Sequence, residues 1–334
     1  MKIGETQIKH GIFLAPMAGF SDRAMRRVCQ DMGAEYSVTE MISAKAVTFG
    51  DKKTFSLARI KEDEGPVSLQ IFGSEPDIMA KAAAILSEHK WDDGYVSPNA
   101  IDINMGCPAA KIFNNGEGSA LMKNPELIYA ITKAVKESTD LPVSVKIRIG
   151  VDSAHINALE CASAAEAGGA SLLTIHGRTR AQMYSGTVDR ETIKNVKQNL
   201  HIPVIANGDI LSGADALSML RDTGADGVAI GRGAVGNPFI FREIIASLDG
   251  VDYTEPTLRE KTDIALLQLR LAIEDKGERT AVPEARKQIA LYLRSFRGAA
   301  ALRAQINRAL TYEEIEGVLL DALDKEENNQ NGEE

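Results

Sequence analysis

Several reactive side chains stand within or directly after short apolar runs of the sequence. Lys146 lies inside one of these runs, residues 143–149, whose other members are mostly β-branched. Burying an amine in such a run costs several kcal/mol unless an anion or a cofactor meets it. We therefore expect Lys146 to contact a bound cofactor.

Cys107 is a second candidate for chemistry. It lies between Gly106 and Pro108, just after the apolar run 100–104, which predicts a rigid, exposed loop. A free thiol is mostly protonated at neutral pH and can serve as an acid. Cys29 and Cys161 lie in helical patterns, where a buried cysteine packs as a small hydrophobic residue. Cys107 is therefore the predicted catalytic cysteine.

Two glycine-containing loops predict a phosphate site. The loops are Asn207-Gly-Asp209 and Gly231-Arg-Gly233, and they follow the last two apolar runs. Glycines let main-chain N–H groups approach a phosphate, so a phosphate-bearing cofactor or substrate is expected there. Residues 231–236 also match GxGxxG, the alternative being a dinucleotide-binding loop. Their place after the last run, rather than at the start of a βαβ unit, disfavours that alternative.

The elements that must position these residues form a repeating pattern. Helical patterns separate eight short apolar runs, at residues 12–16, 36–40, 66–72, 100–104, 143–147, 172–176, 203–206 and 227–230. This alternation predicts a TIM (β/α)8 barrel, whose chemistry lies at the carboxyl ends of the strands. A doubly wound sheet is the alternative, but the loop after the first run, Met17-Ala-Gly19, lacks the glycine-rich fingerprint.

The strand pattern stops near residue 247. We predict a barrel domain over residues 1–247, a helical domain over 256–323 and a disordered acidic tail over 325–334. The net charge is −9, but residues 284–310 hold six basic residues and one acidic residue, whereas residues 311–334 carry −8. The basic segment is either a solvated helix face or a nucleic-acid contact. Its basic residues are Arg286, Lys287, Arg294, Arg297, Arg303 and Arg308.

The composition excludes several classes of protein. The chain has 334 residues, 44% hydrophobic and 25% charged, with 28 Gly and 11 Pro. These proportions exclude collagen-like, disordered and disulfide-scaffold chains. No apolar run approaches the ~18 residues of a transmembrane helix, and the N-terminus has no secretory signal. Three cysteines without a CxxC spacing argue against disulfides and against a zinc site, so a cytoplasmic protein is expected.

Six motifs follow one another along the chain: Leu14-Ala-Pro-Met-Ala-Gly19, Asp102-Ile-Asn-Met-Gly-Cys-Pro108, Val145-Lys-Ile-Arg148, Thr174-Ile-His-Gly-Arg-Thr-Arg180, Pro203-Val-Ile-Ala-Asn-Gly-Asp-Ile210 and Gly224-Ala-Asp-Gly-Val-Ala-Ile-Gly-Arg232. In this order they resemble the motifs of the tRNA-dihydrouridine synthases, most closely the bacterial B type. They cover the predicted barrel from end to end, and residues 284–303 resemble the helical domain of the family. Gln288 and Arg297 depart from the family pattern, where His and Pro are usual.

The resemblance implies an FMN enzyme that uses NADPH to reduce the C5=C6 bond of uridines in tRNA. It implies a TIM barrel, a monomer, no metal, and Cys107 as the acid that protonates C5. The implied cofactor-binding residues are Pro16, Met17, Ala18, Gln70, Lys146, His176, Asn207, Gly208, Asp209, Gly231 and Arg232. The implied substrate-binding residues are Asn104, Arg148, Arg178, Tyr184, Arg286, Lys287, Arg294, Arg297 and Arg303.

Other functions also fit parts of the sequence. A different FMN barrel oxidoreductase would not need the basic helical segment. A Schiff-base aldolase would use Lys146 as its nucleophile and would purify without colour. A non-enzymatic RNA-binding module would have no reason to place Lys146 and Cys107 at strand ends.

Overall fold

The computed structural model describes residues 1–92 and 94–332. Its strands are β1 (Lys2–Ile3), β2 (Thr6–Gln7), β3 (Ile12–Leu14), β4 (Tyr36–Val38), β5 (Ile42–Ser43), β6 (Val67–Phe72), β7 (Ala100–Met105), β8 (Val143–Arg148), β9 (Leu172–His176), β10 (Val204–Asn207) and β11 (Gly227–Ile230). Its α-helices are α1 (Arg23–Asp31), α2 (Ala44–Thr48), α3 (Lys52–Leu57), α4 (Pro76–Glu88), α5 (Ala110–Asn114), α6 (Pro125–Glu137), α7 (Ala158–Ala167), α8 (Arg190–Asn199), α9 (Gly213–Thr223), α10 (Ile240–Asp249), α11 (Leu258–Lys276), α12 (Glu278–Tyr292), α13 (Ala299–Ile306) and α14 (Tyr312–Gly332). Short 3-10 helices span Gly118–Lys123, Arg232–Ala234 and Leu293–Ser295.

Eight parallel strands close into a barrel, which confirms the predicted TIM fold. The order is β4-β3-β11-β10-β9-β8-β7-β6, and β4 also pairs with β6. The strands are rich in Val and Ile and are buried, as parallel strands covered by helices must be. The short strand β5 pairs with β6 outside this ring, and β1 and β2 form a separate antiparallel pair.

The strand register brings polar residues to one height at the carboxyl ends of the strands. Asn104 on β7 lies opposite Lys146 on β8. His176 on β9 lies between Arg148 on β8 and Asn207 on β10. Because all these strands run parallel, their polar ends meet on a single face of the barrel.

The helices after α10 form a bundle that packs against the barrel. Thr257 begins α11 with a capping box that includes Glu260. Gln268 on α11 and Gln288 on α12 are buried and share a hydrogen bond of 2.7 Å, and the Gln288 amide also donates to the main-chain oxygen of Phe20 at 3.4 Å. Gln288, one of the two departures from the family pattern, therefore links the bundle to the loop after β3.

The C-terminal helix is longer than the sequence predicts. The structure continues α14 to Gly332, whereas a disordered tail is predicted over residues 325–334. The run of Lys, Glu, Asn and Gln before Gly332 contains no proline or glycine, so nothing in it breaks a helix. Residues 333–334 lie outside the described residues. Within the described part of the chain, no helix is both long and apolar enough to cross a membrane.

Candidate active site

A cavity of about 500 Å³ opens at the carboxyl ends of the barrel strands. The structure brings most of the predicted site residues together in its lining, although they come from seven different strands and the loops after them. These residues are Pro16, Met17, Ala18, Gln70, Asn104, Cys107, Lys146, Arg148, His176, Tyr184, Asn207, Gly208, Asp209, Gly231 and Arg232. The cavity is of the size that typical small-molecule and cofactor sites have.

Lys146 reaches the cavity from the end of β8. Its Nζ donates to Asn207 Oδ1 at 3.2 Å, and the Asn207 amide nitrogen donates to the Ala229 oxygen at 2.7 Å. Burial, assisted by the neighbouring Arg148, lowers the pKa of Lys146 to about 8. The amine is therefore held in place by a single neutral acceptor, and its charge is costly unless an anion binds beside it.

Arg148 holds the loop that carries Cys107. Its Nε donates to the Gly106 oxygen at 3.0 Å, and its Nη1 donates to the oxygens of Thr179 and Met183 at 2.8 and 2.9 Å. Burial lowers the pKa of Arg148 to about 10, so the guanidinium stays charged at neutral pH. The thiol of Cys107 is partly exposed to the cavity, whereas Cys29 and Cys161 are buried in the core.

A chain of hydrogen bonds runs below the cavity. The Asn104 side-chain oxygen accepts from the main-chain N–H of Gly106 and Cys107 at 3.2 and 2.9 Å. Its amide nitrogen donates to Gln70 Oε1 at 2.8 Å. The Gln70 amide nitrogen in turn donates to Asp102 Oδ2 at 2.7 Å. Burial raises the pKa of Asp102, an effect that its hydrogen bonds oppose.

The loops at Gly208 and Gly231 offer main-chain donors suited to an anion. Among the described residues, the main-chain N–H groups of Gly208, Asp209, Gly231 and Arg232 donate no hydrogen bond. Gly208 has a φ of +121°, and a Cβ there would stand 2.9 Å from the His176 ring. Burial and then the charge of Lys146 lower the pKa of His176 to about 2, so its imidazole is neutral at physiological pH.

Two predicted substrate-binding residues, Arg178 and Tyr184, differ in their position relative to the cavity. Arg178 does not line the cavity, because its guanidinium forms a two-point ion pair with Asp209 at 2.8 and 2.6 Å and donates to the Ser185 oxygen. Tyr184 lies at the rim with 52% of its surface exposed. Its ring centroid is 4.8 Å from the Arg232 guanidinium carbon. Arg178 therefore shapes the phosphate-type loop, whereas Tyr184 is free to meet a ligand.

The basic residues of the helical bundle lie outside the cavity. Lys287 contacts a residue of the lining, with its Nζ 4.3 Å from the ring centroid of Phe20. Among the carboxylates whose side chains the structure describes, none lies within 4.0 Å of a side-chain nitrogen of these residues. The residues are Arg286, Lys287, Arg294, Arg297, Arg303 and Arg308.

Sequence reasoning missed several residues of the site. Met41, Met183 and Leu211 line the cavity, and Asp102 supports Gln70 from below. The three apolar residues carry no signal that separates them from core residues. Asp102 does carry one, since it is a carboxylate inside the buried run 100–105.

The fold and the site together define the class of this protein. A closed eight-stranded parallel barrel with a cationic cavity at the carboxyl ends of its strands is a TIM-barrel enzyme. A profile of the family described as dihydrouridine synthase (Dus) matches residues 13–328. The chain belongs to the dihydrouridine synthase family. The resemblance predicted from the motifs is thereby confirmed, and with it the prediction of a flavin-dependent oxidoreductase.

Known proteins resemble the chain over nearly its whole length. The chain is 39% identical over 335 residues to a tRNA-dihydrouridine synthase B of Pasteurella multocida, covering 98% of each chain. It is 41% identical over 309 residues to a tRNA-dihydrouridine synthase B of Pseudomonas putida, covering 92% of this chain and 89% of that one. The structure of an old yellow enzyme homologue from Zymomonas mobilis matches with a TM-score of 0.51 and 12% identity, over 78% of this chain and 94% of that one. That last likeness is one of fold.

Proposed function

We propose that this protein reduces the C5=C6 bond of uridines in tRNA to give 5,6-dihydrouridine, with FMN as cofactor and NADPH as reductant. The observation that carries the proposal is the placement of Cys107 and Lys146 in a single cationic cavity of a dihydrouridine synthase family member. The names of the relatives supply the substrate class, and the cavity supplies the groups that such a reaction needs.

The donors of the cavity fit FMN. The N–H groups of the loops at Gly208 and Gly231 suit a phosphate dianion, with Arg232 beside them. Lys146, held by one neutral acceptor, has donor capacity left for the flavin ring. In this assignment Gln70 binds the pyrimidine edge of the ring, and residues 16–18 support one of its faces.

FMN, when bound, supplies the hydride that C6 of the uracil ring must receive. The protein has to deliver a proton to C5, and Cys107 is the acid that we assign to this step. The charge of Lys146 stabilises an anionic ring at the cofactor site. Asn104 has its oxygen committed to two main-chain N–H groups, so its amide N–H is the part left for uracil.

The cofactor assignment and the acid assignment are tested together. The purified protein should be yellow and release FMN, and not FAD, on denaturation. Cys107→Ala should keep FMN binding and NADPH oxidation while dihydrouridine formation falls by ~10²–10⁴-fold, the usual size of a general-acid contribution.

Cys161→Ala is the matched control, because Cys161 packs in the core. It should leave the rate of dihydrouridine formation unchanged. A colourless protein that FMN does not reconstitute would refute the cofactor assignment. Equal losses of dihydrouridine formation in both cysteine variants would refute the acid assignment.

We assign tRNA binding to five basic residues of the helical bundle: Arg286, Lys287, Arg294, Arg297 and Arg303. None of them forms an ion pair with a carboxylate whose side chain the structure describes, and Lys287 lies beside Phe20 of the cavity lining. A phosphate backbone would neutralise such charges and release its condensed counterions. An unpaired loop nucleotide could then enter the cavity at low cost in lost stacking.

A further inference from the structure

Asp102 is a buried carboxylate that the proposed reaction does not use. It lies in the middle of β7, is 2% exposed and does not line the cavity. Its Oδ2 accepts from the Gln70 amide at 2.7 Å, and its Oδ1 accepts from the Ser144 hydroxyl at 2.5 Å. A carboxylate is costly to bury even when it is hydrogen-bonded, so its presence inside the barrel calls for a reason.

The hydrogen bonds between Asp102 and the Cys107 loop have a fixed direction. Both carboxyl oxygens of Asp102 accept, one from the Ser144 hydroxyl and one from the Gln70 NH₂ group, so that NH₂ group faces Asp102. Gln70 Oε1 then faces Asn104, whose NH₂ group must donate to it. The Asn104 oxygen is thereby turned to the main-chain N–H groups of Gly106 and Cys107. Reversing the Asn104 amide would set its NH₂ group against the N–H groups of Gly106 and Cys107, and reversing the Gln70 amide would set its NH₂ group against that of Asn104.

We propose that Asp102 is a positioning residue that sets the orientation of the Gln70 and Asn104 amides and, through Asn104, holds the Cys107 loop in place. The loop is anchored elsewhere as well, because Arg148 Nε donates to the Gly106 oxygen, and the hydroxyl and main-chain N–H of Ser119 donate to the Cys107 oxygen at 2.8 and 3.1 Å. Asp102 therefore acts at a distance, through two amides, on where the Cys107 thiol stands in the cavity. The consequence for proton donation rests on the proposed function, whereas the consequence for the loop does not.

An electrostatic role is the alternative account of Asp102. Its charge acts favourably on Lys146 across the barrel interior. Asp102→Asn separates the two accounts, because it removes the charge and keeps an oxygen that can accept from Gln70. The Ser144 hydroxyl can reverse and accept from the new amide, since a hydroxyl both donates and accepts. Asp102→Leu removes the acceptor altogether.

The first readout is amide hydrogen exchange in the purified full-length protein, followed by mass spectrometry on peptides that cover residues 104–109. We expect exchange at Gly106 and Cys107 to be about three- to tenfold faster in Asp102→Leu, the factor that the loss of one hydrogen bond produces. Asp102→Asn should keep the wild-type exchange rate. Ser144→Ala, which removes the other bond to the same carboxylate, is the matched control and should also keep it.

The second readout is the steady-state kinetics of the flavin-loaded enzyme with tRNA. In Asp102→Leu we expect the kcat of dihydrouridine formation to fall by about tenfold or more, and to fall more than the rate of NADPH oxidation or the affinity for tRNA, because the acid is displaced while most contacts to cofactor and tRNA remain. Asp102→Asn should restore kcat. If the Asp102→Leu protein does not fold, Gln70→Met interrupts the same chain of bonds one residue further along and should give the same faster exchange.

Two results would overturn the proposal. Unchanged exchange at Gly106 and Cys107 in Asp102→Leu would show that the loop does not depend on Asp102. Equal losses in Asp102→Asn and Asp102→Leu would show that the charge of Asp102 matters and the amide orientation does not. The exchange measurement needs neither tRNA nor NADPH, so it stands even if the proposed reaction is wrong.

Discussion

Lys146 should make the flavin-free protein less stable at neutral pH. Burial, and then the charge of Arg148, lower the pKa of Lys146 from 10.5 to about 8 in the folded protein. Each unit of difference corresponds to about 1.4 kcal/mol, so the buried ammonium costs about 3 kcal/mol of folding free energy below pH 8. Between pH 8 and 10.5 the unfolded chain binds a proton that the folded protein does not, so the free energy of unfolding rises with pH across that interval.

Lys146→Met removes this cost. It also removes the hydrogen bond to Asn207 Oδ1 at 3.2 Å, a loss of about 1 kcal/mol. The flavin-free variant should therefore be about 2 kcal/mol more stable than the wild type at pH 7, and this advantage should vanish as the pH approaches 10.5. The same variant should bind FMN more weakly, which is the usual conflict between stability and function at an active site.

Urea unfolding of both flavin-free proteins between pH 7 and 10.5 measures this effect. The informative quantity is the difference in unfolding free energy between the two proteins, because other titrating groups cancel in it. Lys81→Met, on the exposed face of α4, is the matched control and should show no pH-dependent difference. A Lys146→Met protein that is no more stable at pH 7, or a difference that does not change with pH, would refute the reasoning.

Two further predictions concern the helical bundle. Gln288→Ala leaves the Gln268 amide buried without its oxygen acceptor and should lower the free energy of unfolding by about 1–3 kcal/mol in urea titrations; an unchanged value would show that water replaces the lost acceptor. Replacing three arginines of the helical bundle by Ala should weaken tRNA binding and flatten the slope of log affinity against log salt by about two to three, while NADPH oxidation stays as before. An unchanged slope would place the RNA elsewhere. The three are Arg294, Arg297 and Arg303.

The strands of the barrel could be predicted because each is a short apolar run with a helical pattern after it. The boundaries were less predictable. The first strand is predicted over residues 12–16 but ends at Leu14, since Pro16 has no N–H to donate to a ladder. The strands β1, β2 and β5 have two residues each, too few to show a period of two. The end of α14 was missed because a polar composition is shared by disordered tails and exposed helices.

The site was predictable where the backbone alone decides position. A residue at the carboxyl end of a barrel strand must face the shared opening, which is why Gln70, Lys146 and His176 were found. Arg178 shows the limit of this argument. It follows β9 as closely as a cavity residue would, yet Asp209, in the left-handed region at φ +50°, turns its carboxylate to the guanidinium. Whether a given arginine faces the cavity depends on whether a carboxylate pairs with it elsewhere. The spacing of residues along the chain does not show such a pairing.

The charge balance of the cavity explains why the protein keeps a buried Lys146 that lowers its stability. Lys146, Arg148 and Arg232 line it, and among the described lining residues the one carboxylate is Asp209, which Arg178 already pairs. The lining thus carries a net positive charge, and the neighbouring cations add to burial, which is the larger cause, in lowering the pKa of both Lys146 and His176. An anionic ligand would offset the repulsion among these cations, so part of its binding energy would come from relief of repulsion that the fold already contains. The part of the Lys146 cost that comes from neighbouring cations and the gain in affinity for an anion bound beside Lys146 would then have the same electrostatic origin.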